Sequence, residues 1–254
     1  MSISRLSVCA IVASIASVAF VSLSTGSNLP PGAAAPASHA HQGHPAVVRV
    51  EPSSCSAVAF RENQHDYIVT AAHCNSLTTV VANDGAIAEV GPLKCKRKDL
   101  DLEVFQVDWE HPEEQPQSRF ATLSTGHIDA GEKMQWVSYR QSAHHFATAA
   151  GTVISPTCTS ADDKKKWGCP PPNGGWVGRL DPGNSVCVDD SGGGVFHTDG
   201  NHALTGIISH RMTGHDGEDL LTSQDPPCSR GQLVAKIDAA LISKMVAGNA
   251  SCGQ

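Results

Sequence analysis

From Ala46 onward the apolar residues come in short bursts, at 46–50, 58–60, 67–69, 79–81, 102–107, 134–139, 153–154 and 204–208, and Gly, Pro, Asn, Asp or Ser separates most of them. Bursts of this length suit strands rather than helices, and so many of them predict an all-β barrel or sandwich. Only the end of the chain reads as helix. There Asp238 can cap a stretch in which Leu241, Ile242, Met245 and Val246 share one face, and Gly248 stops it. The polar segment 111–118 divides the strand-rich chain into halves of comparable size and reads as a linker, with one domain over 46–118 and a second, carrying the helix, over 119–254. No internal repeat is visible.

The residues before this pattern read as targeting. Arg5 is the only charge ahead of 16 mostly apolar or small residues from Val8 to Leu23, and Ser24, Thr25 and Gly26 follow. This predicts a signal peptide over 1–26, with an uncleaved anchor as the alternative; a spanning helix needs about 20 apolar residues. Residues 27–45, rich in Pro, Ala, Gly and His, read as a flexible spacer or pro-segment. Export predicts a secreted, extracellular protein, or a periplasmic one in a Gram-negative source, with no membrane contact after signal removal. The cysteines agree: of nine, Cys9 lies in the signal, and Cys55, Cys74, Cys95, Cys158, Cys169, Cys187, Cys228 and Cys252 allow four disulfides. No Cys-x-x-Cys supports a zinc ribbon or thioredoxin chemistry. The net charge of −7 has the wrong sign for neutralising phosphates, so nucleic acid is not an expected partner.

Three segments carry candidate chemistry. Tyr67-Ile68-Val69-Thr70-Ala71-Ala72-His73-Cys74 is an apolar strand that turns into small residues and delivers a histidine. Asp101-Leu102-Glu103-Val104-Phe105-Gln106-Val107 opens a strand with an aspartate, and Cys187-Val188-Asp189-Asp190-Ser191-Gly192-Gly193-Gly194-Val195 exposes a serine among glycines. A serine hydroxyl becomes a nucleophile when a neutral imidazole takes its proton, and a carboxylate fixes that imidazole's tautomer and stabilises the imidazolium. Asp99 competes with Asp101, because strand alternation would point both to one face.

In the order His, Asp, Ser these segments resemble secreted serine proteases of the trypsin/chymotrypsin family, over about residues 46–246. The resemblance implies two six-stranded antiparallel β-barrels with the site between them and a C-terminal helix. It implies catalytic His73, Asp101 and Ser191, an oxyanion hole from the backbone amides of Asp189 and Ser191, a pocket base at Ser185 and a substrate-pairing wall strand at Ser209. It also implies bridges Cys55–Cys74, Cys187–Cys228 and, at altered spacing, Cys158–Cys169, which leaves Cys95 and Cys252 as the fourth pair.

The chain departs from the family in four ways. No Arg or Lys precedes an Ile-Val-Gly-Gly type start, so a pocket held open by other contacts is expected in place of a new N-terminus on Asp190. The interval of 28 residues from His73 to Asp101 leaves little room for a calcium loop. Ser185 is neutral, which favours an apolar or aromatic side chain at the cleaved bond, although the long segment 210–227 with Arg211, His215, Asp216, Glu218, Asp219 and Asp225 can reshape that preference. Asp189 stands where the family has Gly, so its carboxylate can crowd the oxyanion. His39, His41 and His44 lack a thiolate or carboxylate partner, and His144, His145 and 162–166 read as surface.

The reading is a monomeric secreted serine endopeptidase without cofactor or metal, acting on protein or peptide substrates through an acyl-enzyme and open to protein inhibitors. The alternative is a catalytically impaired homologue that binds proteins; a His-rich metal carrier is a third reading.

Overall fold

The computed structural model describes residues 43–158, 175–199, 201–212, 221–224, 227–248 and 252. The signal peptide, His39, His41, Cys169, the segment 162–166 and loop residues His215, Asp216, Glu218, Asp219 and Asp225 lie outside the described residues.

Six strands form the first barrel: β1 (Val47–Glu51), β2 (Ser56–Glu62), β3 (His65–Ala71), β4 (Thr79–Ala82), β5 (Ile87–Arg97) and β6 (Leu102–Trp109). They close antiparallel in the order β1-β2-β3-β6-β5-β4. Two 3₁₀ turns, Pro112–Glu114 and Gln117–Arg119, then carry the chain across the polar segment. The later strands are β7 (Lys133–Arg140), β8 (His145–Ser155), β9 (Gly175–Leu180), β10 (Val186–Cys187), β11 (Gly194–His197), β12 (Leu204–Met212), β13 (Leu221–Gln224), β14 (Pro227–Ser229) and β15 (Gly231–Lys236). Of these, β11-β12-β15-β9-β8-β7 close the second barrel and β10-β14-β13 form a small separate sheet. This is the predicted two-barrel architecture.

The barrels are filled by the inward faces of their strands. Val48, Ile68, Val80 and Trp109 are buried in the first, and Trp136 and Trp176 meet edge-on at 5.9 Å in the second. Each such side chain contributes about 1.5–3 kcal/mol on burial. A further apolar cluster crosses between the barrels, joining Val58, Phe60 and Val69 to Val137, Tyr139 and Phe196. The two halves therefore share a core at the seam where the site lies. The C-terminal helix, α1 (Ala239–Val246), forms as its sequence dictates: Asp238 Oδ1 accepts from the Leu241 amide at 2.8 Å, Ile242 and Met245 are buried, and Gly248 follows at φ +66°.

Disulfides join Cys55 to Cys74, Cys187 to Cys228 and Cys95 to Cys252. Cys158 is also disulfide-bonded.

Candidate active site

His73, the expected base, follows the end of β3. Small residues at Ala71 and Ala72 let the chain turn sharply, the Cys74 amide donates back to Ala71 O at 3.0 Å, and the Cys55–Cys74 bridge pins the turn to β2. His73 donates from Nδ1 to Asp101 Oδ2 at 2.9 Å, with Oδ1 at 3.2 Å, and its backbone N–H donates to Oδ1 at 3.1 Å. Asp101 sits in the turn just before β6 with φ +52°, in the left-handed region where Asp is better tolerated than most residues. The strand-alternation argument that makes Asp99 a rival therefore does not apply: Asp101 is not yet in the strand, and Asp99 pairs with Arg97 at 2.5 and 2.7 Å.

Ser209 donates from Oγ to Asp101 Oδ2 at 2.6 Å. It is the bulged residue of β12, where the pairing with β15 shifts between Ile208 and His210, and the bulge turns its side chain toward the acid. Since an ionised carboxylate only accepts, the Ser209 proton goes to Asp101, and His210 Nδ1 donates to Ser209 Oγ at 2.6 Å. His73, Asp101 and His210 place three ligand-type atoms within 4.8 Å of one another. Hydrogen bonds among these residues and Ser209 already use that donor set, which accounts for the cluster without an ion. The hydrogen bond to Asp101 is the largest influence on His73 and holds its pKa above the ordinary imidazole value against desolvation. Burial works to raise the Asp101 pKa, but the bonds from His73 and Ser209 and the nearby imidazoles outweigh it, and the net shift is downward.

Ser191, the expected nucleophile, follows a 3₁₀ turn, Val188–Asp190. Asp190 is fully buried beneath it and accepts from Ser138 Oγ at 2.7 Å, Arg140 Nη2 at 2.8 Å, Arg140 Nε at 3.4 Å and the Cys187 amide at 2.6 Å. An internal arginine thus supplies the cation for Asp190, where the family resemblance implies a new N-terminus. The sequence predicts other contacts at this point but does not single out Arg140, which looks like the polar end of a strand. Ser191 is joined to the first barrel through its carbonyl, which accepts from the Ser56 amide at 2.8 Å, next to the Cys55–Cys74 bridge. Gly192, at φ +81°, is obligatory, because a Cβ would lie 2.0 Å from Ser56 O.

Ser191 Oγ donates to Val188 O at 3.3 Å, and among the described residues it makes no hydrogen bond to His73. In a trans peptide the C=O and the following N–H point opposite ways, so with the Val188 carbonyl facing Ser191 the Asp189 amide faces away. The Asp189 side chain is buried and turned aside, accepting at Oδ2 from the Ser142 amide at 2.7 Å. Ser185 lines a cavity of about 180 Å³ with Ser138, Arg140 and Asp190, and its carbonyl accepts from Arg140 Nη2 at 3.0 Å. Residues 213–220, which follow the wall strand, lie outside the described residues.

The chain is similar in fold to several solved structures. Kallikrein-related peptidase 10 aligns at 19% identity and TM-score 0.58, covering 83% of this chain and 99% of that one. An HtrA-type protease, AlgW, solved with a tripeptide, aligns at 14% identity and TM-score 0.57 over 80% of this chain and 61% of that one, so the chain spans about three fifths of its length. An inactive form of Rv3671c from M. tuberculosis H37Rv, with a serine changed to alanine, aligns at 16% identity and TM-score 0.53, covering 81% and 86%. No protein-family model and no curated protein matches the chain. The fold is that of trypsin-like serine proteases.

Proposed function

We propose that the protein is a secreted serine endopeptidase that cleaves peptide bonds through an acyl-enzyme at Ser191. The observation that carries this reading is the His73–Asp101 couple at 2.9 Å, on a loop bridged to the strand that also holds the Ser191 carbonyl. Nδ1 of His73 is committed to the carboxylate, which leaves Nε2 as the proton acceptor. His73 takes the Ser191 hydroxyl proton as Oγ bonds to the scissile carbonyl carbon, then returns it to the leaving amine; water enters by the same route and frees the acyl group. For the oxyanion to meet two amides, the Val188–Asp189 peptide turns over so that its N–H faces the site.

That peptide also supports a second reading, a catalytically impaired homologue that binds proteins, since Val188 O faces the serine. Labelling with a fluorophosphonate probe separates them. An active enzyme incorporates one probe at Ser191, and Ser191→Ala abolishes labelling and cuts peptide hydrolysis on the order of 10⁶-fold. A wild-type protein that neither labels nor hydrolyses leaves the binding-protein reading.

A further inference from the structure

One peptide unit in the site is gripped at both ends by charged side chains. The N–H of His73 donates to Asp101 Oδ1 at 3.1 Å, and the carbonyl of the same peptide, Ala72 O, accepts from Lys96 Nζ at 2.7 Å. Lys96 Nζ also donates to Glu103 Oε2 at 2.9 Å. Lys96 and Glu103 face each other across the β5–β6 ladder, and Glu103 stands two residues after Asp101, so one strand and its approach carry both carboxylates. Glu103 is only 3% exposed, and its Oε1 is buried without a hydrogen-bond partner among the described residues. The Cys95–Cys252 bridge anchors β5 at the neighbouring residue.

An ion pair with one partner this deeply buried and the other, Lys96, 22% exposed is weak evidence for stability, because desolvation offsets much of the attraction. Its geometric consequence is clearer. The trans peptide points its C=O and N–H in opposite directions, so Lys96 and Asp101 hold it from opposite sides and fix the His73 Cα against rotation. An ammonium is nevertheless the wrong charge to place beside a base that becomes an imidazolium during the reaction, and Glu103 supplies the compensating negative charge.

We infer that Lys96 and Glu103 are a pair of positioning residues for the base, Lys96 fixing the peptide that carries His73 and Glu103 cancelling the charge that Lys96 brings. This rests on the serine-peptidase reading for its catalytic consequence, though not for its geometry. The charged groups that bear on His73 act in opposite directions, as the pairing requires: Asp101 dominates and raises its pKa, Glu103 adds to that, and Lys96 lowers it. The His210 ring lies 5.4 Å away. Burial pushes the Glu103 carboxyl up, and Lys96 opposes this.

The test has two arms on the full chain. In the first, the fluorophosphonate labelling rate is compared in Lys96→Met, Lys96→Arg and Lys96→Met/Glu103→Gln. The proposal expects a loss of ten- to a hundredfold in both Met variants, as small displacements of a catalytic group produce, and recovery of most of it in Lys96→Arg. In the second, the His73 titration is followed by NMR in the Ser191→Ala background, with His73 assigned by its absence in His73→Gln. Glu103→Gln leaves an uncompensated ammonium and moves the midpoint down; adding Lys96→Met moves it back toward the parent value while labelling stays slow. A purely structural pair would not give this reversal. If Lys96→Met fails to fold because Glu103 is orphaned, the neutral double variant carries the test. Unchanged labelling in a folded Met variant, or a Glu103→Gln midpoint that stays or rises, overturns the proposal. A wild type that never labels defeats the peptidase reading instead, and the titration arm still decides this one.

Discussion

The two halves of the site are built to different standards. On the base side, Asp101 gathers hydrogen bonds from His73 Nδ1, the His73 amide and Ser209 Oγ, all within 3.2 Å. On the nucleophile side, Asp190 is held as firmly below the chain by Ser138, Arg140 and the Cys187 amide, yet above it Ser191 leans on the Val188 carbonyl and the Asp189 carboxylate leans on Ser142. The base half is organised by charges that persist whether or not substrate is present. The nucleophile half has a rigid foundation and one peptide bond whose direction decides whether developing negative charge meets an amide or a carbonyl. On the serine-peptidase reading, the gate is therefore the Val188–Asp189 peptide and not the acid–base couple.

Breaking the organised half has the largest effect. Asp101→Asn keeps the shape but removes the charge and permits the wrong imidazole tautomer, and we expect turnover to fall on the order of 10⁴, the loss seen for this change in a related triad. The pH profile gives the sign independently. His73 acts as a base only when neutral, and its hydrogen bond to Asp101 raises its pKa, so the acidic limb of kcat/KM lies above the ordinary imidazole range. In the Asn variant that support is gone and the limb moves to lower pH. Steady-state kinetics across pH measures both, and retained activity would return Asp99 to contention.

Undermining the foundation comes next. Arg140→Met leaves Asp190 buried and unpaired, a defect worth about 3–5 kcal/mol, or a fall in Tm on the order of 10 °C for a chain this size. The double variant Arg140→Met/Asp190→Asn has no orphaned charge and should melt above the single one. Calorimetry of the two decides; equal melting points would mean that Ser138 and the Cys187 amide suffice for Asp190.

Apolar patterning foresaw an all-β chain in two halves, because short bursts are a local signal, while the two barrels and the pairing of His73 with Asp101 came from the resemblance carried by the three motifs. The patterning missed strands whose apolar residues are small or interrupted. β5 contains Gly91-Pro92 and reads as a turn, while in β8 only Val153–Ile154 stood out among alanines and glycines, although the strand begins at His145. Arg140, Ser138, Lys96 and Glu103 were invisible for a different reason. Each is a polar residue at or near a strand end whose partner lies far along the chain or across a ladder, 50 residues away for Arg140 and Asp190, and no spacing rule connects them. Ser209 was read as backbone wall, and only the bulge in β12 reveals that its side chain serves the acid.

The smallest effect probes the gate itself. Asp189 fixes the loop through a charge-assisted bond to the Ser142 amide at 2.7 Å, a contact of about 1.5–3 kcal/mol, and its Oδ1 is buried without a hydrogen-bond partner among the described residues, which offsets part of that. Asp189→Gly removes the latch and frees the backbone to take the orientation that presents its amide. Each 1.4 kcal/mol shifts such an equilibrium tenfold, so turnover should rise by roughly tenfold, with Asp189→Asn showing a smaller gain because it keeps a weaker acceptor. The rise should fall in kcat, with Tm lowered by only about a few degrees, since the buried Oδ1, without a partner among the described residues, offsets part of the lost bond. A turnover that is unchanged or lower would mean that arriving substrate turns the Val188–Asp189 peptide unaided, and the contrast between the two halves would then describe the resting enzyme and not its catalytic cycle.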